Sequence, residues 1–385
     1  MTSQNGTAAV ADTWNFEVEL ASAPATADAR AAVLAKPGFG QSFTDHMVLA
    51  SWTEERGWHG QKVMPYGPLK VSPAAAVLHY AQEIFEGLKA YRHEDGSVWA
   101  FRPEMNAARF SRSAQRLALP QVPEQEFLAA LRALVTVDEV WVPPAGSGET
   151  SLYLRPYMMA TEAALSVRPA REVLFGVIAS PAGPYFDTGP KPVSIWLSDT
   201  SIRATPGGTG AAKCGGNYAA SLAAFAEATE NGCNQVIYLD AVERRWIEES
   251  GSMNVFFVYA DGRIATPELS GSILAGVTRD SVLELAADLG YKVEERRISA
   301  DEWRDGVRTG EIAETFASGT AAVITPIGRV AWSGGNLPIG DHSTAEGVGP
   351  VTSSIRAALL DLQYGRTPDP RGWLARLAFP AHFPH

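Results

Sequence analysis

Between Gly207 and Tyr218 the chain reads GGTGAAKCGGNY, so that one lysine, Lys213, sits between two glycine clusters. Glycine at this density loses too much conformational freedom to support the interior of a helix or strand. The run is therefore read as a glycine-rich loop. A lysine in such a frame has two readings. It can lay its stem along apolar surface beside a turn, or it can be a Schiff-base amine whose charged form is disfavoured by burial. Glycine and alanine on both sides leave room for a flat cofactor to approach the backbone. The loop does not end in the Gly-Lys-Ser/Thr of a P-loop. It also lies several residues past its strand, whereas a dinucleotide fingerprint follows the strand at once.

The length of 385 residues accommodates two domains. Residues 1–36, rich in Ala, Ser, Thr and Pro, read as a loose N-terminal arm. A small domain is expected over 37–186, a linker and first strand over 187–198, and a larger domain over 199–385. SVWAFRP (97–103) predicts a strand followed by a helix with Pro103 in its first turn. SLYLRP (151–156) predicts a strand stopped by its proline, and 173–186 a buried strand. A helix is expected from Tyr218 to Glu230, and another over 276–290, capped by Thr278 and ended by Gly290. Strands are expected at 234–240 and 253–262. The order is that of a mixed, α+β architecture with antiparallel pairs.

Thirty-two basic against 43 acidic residues give a net charge of −11, which argues against nucleic-acid or anionic-membrane partners. No apolar run approaches the ~20 residues of a membrane span. No Lys or Arg precedes Arg30, while Asp12, Glu17 and Glu19 do, which is unlike a basic targeting segment. Two cysteines, Cys214 and Cys233, fit a reducing compartment, and a cytoplasmic location is expected. The histidines form no HExxH pair and no GxSxG elbow is present; no metal is expected.

Four further features carry chemistry. Glu248 and Glu249 in WIEESGSMN (246–254) would point to opposite faces of a strand, so at most one enters a site. A carboxylate there could keep a pyridine nitrogen protonated, as a pyridoxal electron sink requires. The helix start Gly276-Val277-Thr278 offers unpaired N–H groups and the positive end of a dipole, a ready anion site. MNAARFSRSAQR (105–116) places Arg109, Arg112 and Arg116 along one stripe, and spacing alone does not say which turns inward. Tyr153 and Arg155, two apart in a strand, share a face and together can bind a carboxylate.

These parts occur in an order that resembles the branched-chain amino-acid aminotransferases of the fold-type IV pyridoxal-phosphate class. HYAQEIFEGLKAYR (79–92), SLYLRP, AAKCGGNYAAS (211–221), EESGSMN, ILAGVTRDS (273–281) and SGTAA (318–322) carry the likeness, which runs from about Phe43 to Arg366. The resemblance implies a two-domain fold, with a small N-terminal α/β domain and a larger one built on a barrel-like β core. It implies pyridoxal 5′-phosphate in the cleft between them, and a homodimer in which the partner's small domain closes the pocket. Lys213 would carry the cofactor, Glu249 would face its ring nitrogen, and Tyr218 would lie against its ring. Arg109, Val277, Thr278 and Thr320 would take its phosphate. The substrate pocket would be built from Tyr80, Phe85, Tyr153, Val167, Tyr185 and Tyr218, with Phe39 at its margin. Arg155 would hold the distal carboxylate of L-glutamate or 2-oxoglutarate, and the Thr320 and Ala321 N–H groups the α-carboxylate. The substrates implied are L-leucine, L-isoleucine and L-valine. Where animal members carry a redox Cys-x-x-Cys, this chain has Ala322 and Thr325.

Overall fold

Two mixed sheets, each of nine strands among the described residues, organise the chain. The computed structural model describes residues 14–184, 191–340 and 347–379. In the first sheet the strand order is Glu17–Val18, Gly57–Pro65, His46–Thr53, Glu172–Ala182, Ser151–Ala160, Leu88–Arg92, Val98–Phe101 and Leu374–Ala378. The short strand Glu83–Phe85 also pairs with Ser151–Ala160. Helices Pro103–Arg116 and Glu124–Val137 bury their apolar stripes with this sheet, where Phe110, Phe127 and Phe175 form one aromatic cluster.

Several expectations are corrected here. The strand that begins SLYLRP does not stop at Pro156 but continues to Ala160. The carbonyl of Pro156 accepts from Glu86 N–H at 2.7 Å. The donor that proline lacks would point to that same side, into the gap between Glu83–Phe85 and Leu88–Arg92, so no ladder bond is lost. The arm is not loose from residue 14 onward. Trp14 packs on Trp58 and Phe175 and its N–H donates to Glu126, while Glu17–Val18 pairs with Gly57–Pro65. Ala21 and Ala25 donate to His46 and Asp45.

The second sheet runs Ile247–Ser250, Gln235–Leu239, Val193–Ser198, Val323–Trp332, Ile312–Gly319, Asn254–Tyr259, Arg263–Thr266 and Lys292–Glu295, with Gly335–Pro338 on the Val323–Trp332 strand. It curls until its two edges meet: Ile247 N–H donates to Ile298, just past Lys292–Glu295, at 2.9 Å. This is the barrel-like core. The expected helix from Tyr218 to Glu230 is two short ones, Gly215–Ala219 and Leu222–Glu230. The helix Val277–Asp288 is preceded by Gly276, not capped by Thr278, which lies in its first turn.

The tail departs from a simple division of the chain. Leu374–Ala378 adds to the first sheet, antiparallel to Val98–Phe101. Beside it, Arg102 stacks over Trp373 at 4.2 Å and reaches Asp280 and Ser281 on the helix of the second half at 2.6 and 2.8 Å. A charged, planar side chain thus ties both sheets together next to the Val277 helix start.

Candidate active site

The glycine loop owes its shape to side chains that reach it from outside. Asn217 donates to the carbonyls of Thr209 and Ala212 at 2.8 and 2.9 Å and accepts from the Thr209 hydroxyl. Arg116 donates to Gly207 and Gly208. Lys213 itself is clamped along its backbone. Its N–H donates to Ser113 Oγ at 3.0 Å, and its carbonyl accepts from Phe85 N–H at 3.0 Å. The first sheet and its helix therefore fix a loop that belongs, by chain order, to the second half. The Lys213 amine projects past the Phe85 ring and donates to the Tyr218 hydroxyl at 3.0 Å.

A cavity of about 210 Å³ opens around that amine. Phe39, Phe85, Tyr153, Arg155, Tyr218, Thr320 and Ala321 contribute to its wall together with Met253. Tyr153 and Arg155 do share a face, and Arg155 Nη2 donates to the Tyr153 hydroxyl at 3.1 Å. Gly87 makes room for this pair: a Cβ there would stand 1.9 Å from the Tyr153 oxygen.

Two buried ion pairs flank the amine. Glu249 accepts from Arg203 at 2.8 Å and from Leu274 N–H at 2.8 Å. Burial pushes its carboxyl up to about 7, against the pull of Arg203, the Leu274 hydrogen bond and Lys213. Glu248 is also buried but turns away, accepting from the Ser272 hydroxyl. On the other flank Arg109 grips Glu86 with two parallel hydrogen bonds of 2.6 and 2.8 Å and donates to the Ala275 carbonyl at 3.0 Å. Glu86 also accepts from Asn106 and from Gly87 N–H. Burial alone would raise the Glu86 carboxyl; the Arg109 charge and hydrogen bonds, with Lys213 and Asn106, outweigh it and hold it low.

The structure thus selects Arg109 from the arginine stripe. Arg112 is exposed, and Arg116 serves the glycine loop. Through Ala275, Arg109 sits beside the Gly276-Val277-Thr278 helix start, which no side chain caps. Gly276 is required there, because a Cβ would meet Asn254 Oδ1 at 2.1 Å. Two expected pocket residues are not brought in. Tyr80 and Val167 are 39 % and 83 % exposed and do not line this chain's cavity. The Tyr80 hydroxyl donates to the carbonyl of Leu165, two residues before Val167. Tyr185 lies outside the described residues. Sequence reasoning missed Glu86, which lies inside HYAQEIFEGLKAYR, and Arg203, four residues before the glycine loop.

Residues 83–330 match the family described as Amino-transferase class IV. The chain belongs to the class IV aminotransferases. Within them its relatives are branched-chain enzymes. The branched-chain-amino-acid aminotransferase of Mycolicibacterium smegmatis is 56 % identical over 94 % of this chain and 98 % of its own length. Among solved structures, the Escherichia coli branched-chain amino acid aminotransferase superposes with a TM-score of 0.70 at 28 % identity, covering 86 % of this chain and 99 % of that one. The branched-chain amino acid aminotransferase of Thermobaculum terrenum, solved in its PLP-form, gives 0.69 at 25 % identity over 88 % and 100 %. For this aminotransferase the matched span takes in both buried ion pairs, the lysine loop and the Thr320–Ala321 turn.

Proposed function

We propose that this chain transfers an amino group reversibly between L-leucine, L-isoleucine or L-valine and 2-oxoglutarate, giving the branched 2-oxo acid and L-glutamate, with pyridoxal 5′-phosphate as cofactor. The observation that carries the reading is the Lys213 amine, 3.0 Å from the Tyr218 hydroxyl on the cavity wall, within electrostatic reach of Glu249 and of Glu86, whose partner Arg109 lies beside an uncapped helix start. A flat, phosphorylated pyridine fits that donor set. Arg109 and the free N–H groups of Val277 and Thr278, with the Thr320 hydroxyl, suit a phosphate. Glu249 suits a protonated ring nitrogen, and Tyr218 the ring edge.

Bound there, the cofactor supplies an electron sink that lets the proton on a substrate α-carbon leave. The chain's residues do the rest. The Lys213 amine would carry that proton between the substrate α-carbon and the cofactor carbon that holds the amino nitrogen, with the Tyr218 hydroxyl accepting from Nζ to hold it in place. Arg203 and the Leu274 N–H hold the Glu249 carboxylate in position. Backbone N–H groups at Thr320 and Ala321 take the α-carboxylate, and Arg155 takes the distal carboxylate of glutamate. Phe39, Phe85 and Tyr153 form an apolar wall for the aliphatic side chains. That wall separates them weakly, because one methylene is worth only about 1–3 kcal/mol.

Three coarser points complete the reading. Leu78, Tyr80, Leu165 and Val167 are large apolar side chains left exposed, with Tyr80 bonded to the Leu165 carbonyl, and they would suit the cover of a second copy's cavity, which supports a homodimer. The chain would divide into a small domain over 37–186 and a larger one over 199–385, with 187–198 as linker and entry strand and Leu374–Ala378 joined to the first sheet. The acidic balance and two buried free cysteines agree with a cytoplasmic enzyme.

Initial rates with L-leucine, L-phenylalanine and D-alanine, each with 2-oxoglutarate, test the substrate class. The L-leucine kcat/KM should exceed the D-alanine value by about 100-fold or more, the scale on which misplaced reacting groups lose rate. A D-alanine rate equal to or above that of L-leucine would refute the assignment.

A further inference from the structure

Lys89 is a buried ammonium that nothing in the reaction so far employs. It lies on Leu88–Arg92, 6 % exposed, directly opposite Tyr153 on the neighbouring strand. Residues paired in this way share a face, so Lys89 leaves the sheet on the side of Tyr153 and Arg155. Among the described residues its one hydrogen bond runs to the carbonyl of Ala321, at 2.9 Å and 232 residues away in sequence. The nearby carboxylate of Glu149 is engaged by Arg356 at 2.5 Å. A buried charge normally finds a counter-charge; this one is held against a backbone carbonyl instead.

That carbonyl belongs to an unusual turn. Ile312–Gly319 and Val323–Trp332 pair antiparallel with Gly319 opposite Val323, which leaves Thr320, Ala321 and Ala322 as a three-residue connection. Just past it Val323, the first residue of the returning strand, takes the left-handed conformation at φ 59°, which ordinarily falls to glycine. A β-branched side chain there is strained, and strain of this kind persists only where the surroundings over-determine it. Lys89 reaches across from the other sheet and bonds this turn at the Ala321 carbonyl.

We infer that Lys89 is a positioning residue for substrate recognition: its ammonium fixes the Ala321 carbonyl, so that the Thr320 and Ala321 N–H groups face the cavity, and sets a positive charge behind the anion they bind. The inference rests on the reading that this turn takes the α-carboxylate. Burial pushes the Lys89 ammonium down to about 8, with Glu149 opposing and Arg356 adding to the shift. It therefore keeps its charge in most molecules at pH 7.

The test compares Lys89→Met, Lys89→Arg and Ala321→Pro with the unaltered holoenzyme. L-leucine is the carboxylate-bearing probe, and 3-methylbutylamine, the same skeleton without the carboxylate, is followed by its spectral titration of bound cofactor. Lys89→Met should raise the L-leucine KM about tenfold or more, the scale of a lost hydrogen bond to a charged group. It should leave kcat and the amine's Kd close to unaltered, and Lys89→Arg should restore the KM. If the Met variant does not accumulate folded, Lys89→Gln replaces it. An unaltered KM in Lys89→Met while Ala321→Pro raises it would overturn the role of Lys89 alone. An equal loss for amine and L-leucine would reduce Lys89 to a general structural part. If neither variant moves the L-leucine KM, the assignment of the turn falls, and the Lys89 inference with it.

Discussion

Lys213→Ala should reduce amino transfer by about 10⁴-fold, the upper range for a positioned general acid–base group, while leaving the fold intact. The separation of the two effects follows from how the residue is held. Its backbone N–H and carbonyl are bonded to Ser113 and Phe85, and those bonds survive truncation of the side chain. The amine itself donates only to the Tyr218 hydroxyl among the described residues. Thermal unfolding should therefore change little. Borohydride reduction followed by peptide mass spectrometry should add the cofactor's mass to the Lys213 peptide of the unaltered enzyme and to no peptide of the variant. A variant that keeps a tenth of the activity would show that some other amine carries the chemistry.

Glu86→Ala is the second change with a large expected effect, and it acts on stability and binding together. Glu86 and Arg109 are 0 % and 4 % exposed in their side chains and meet through a two-pronged bridge. Removing one member of such a pair leaves the other charge buried without compensation, at a cost of about 3–5 kcal/mol. Urea unfolding should show that loss. Arg109 would also lose the carboxylate that aims it at Ala275 and the helix start, so cofactor affinity should fall as well. The double variant Glu86→Ala/Arg109→Met, with neither charge left, should recover part of the stability but none of the affinity. Because Arg109 holds the Glu86 carboxyl below its usual 4.5, the bridge contributes fully at pH 7 and is lost only as pH falls through that lowered value. A destabilisation below about 1 kcal/mol in Glu86→Ala would mean that the pair is not the buried clamp described.

The parts of the site that were legible in the sequence are those defined by local composition. A lysine between glycines, a helix start with Gly-Val-Thr, and Tyr153 and Arg155 at strand spacing all announce their geometry within a few residues. Spacing could not choose among Arg109, Arg112 and Arg116, because all three occupy one stripe and only the position of Glu86, on another element, decides. Arg203 was invisible for the same reason: its partner Glu249 is 46 positions away, and no local pattern links them. Pro156 was misread because a proline interrupts a strand only when its neighbour needs the missing N–H, and the neighbouring strand is itself broken there. Of the arm, residues 1–13 lie outside the described residues, and from Trp14 on it was misread because its ordering depends on Trp14 and on His46, Asp45 and Glu126, not on its own small residues. Tyr80 and Val167 stand exposed outside this chain's cavity, and only in the homodimer proposed above would they reach a cavity, that of the second copy.

The function proposed above has the amino group leave one substrate and wait on the enzyme for the next. It is tested most directly by mixing purified, cofactor-loaded protein with L-leucine in the absence of any 2-oxo acid and measuring the 4-methyl-2-oxopentanoate formed. One equivalent per active site, followed by one equivalent of L-glutamate when 2-oxoglutarate is then added, is the predicted result. No 2-oxo acid at all, or steady formation without an acceptor, would contradict it.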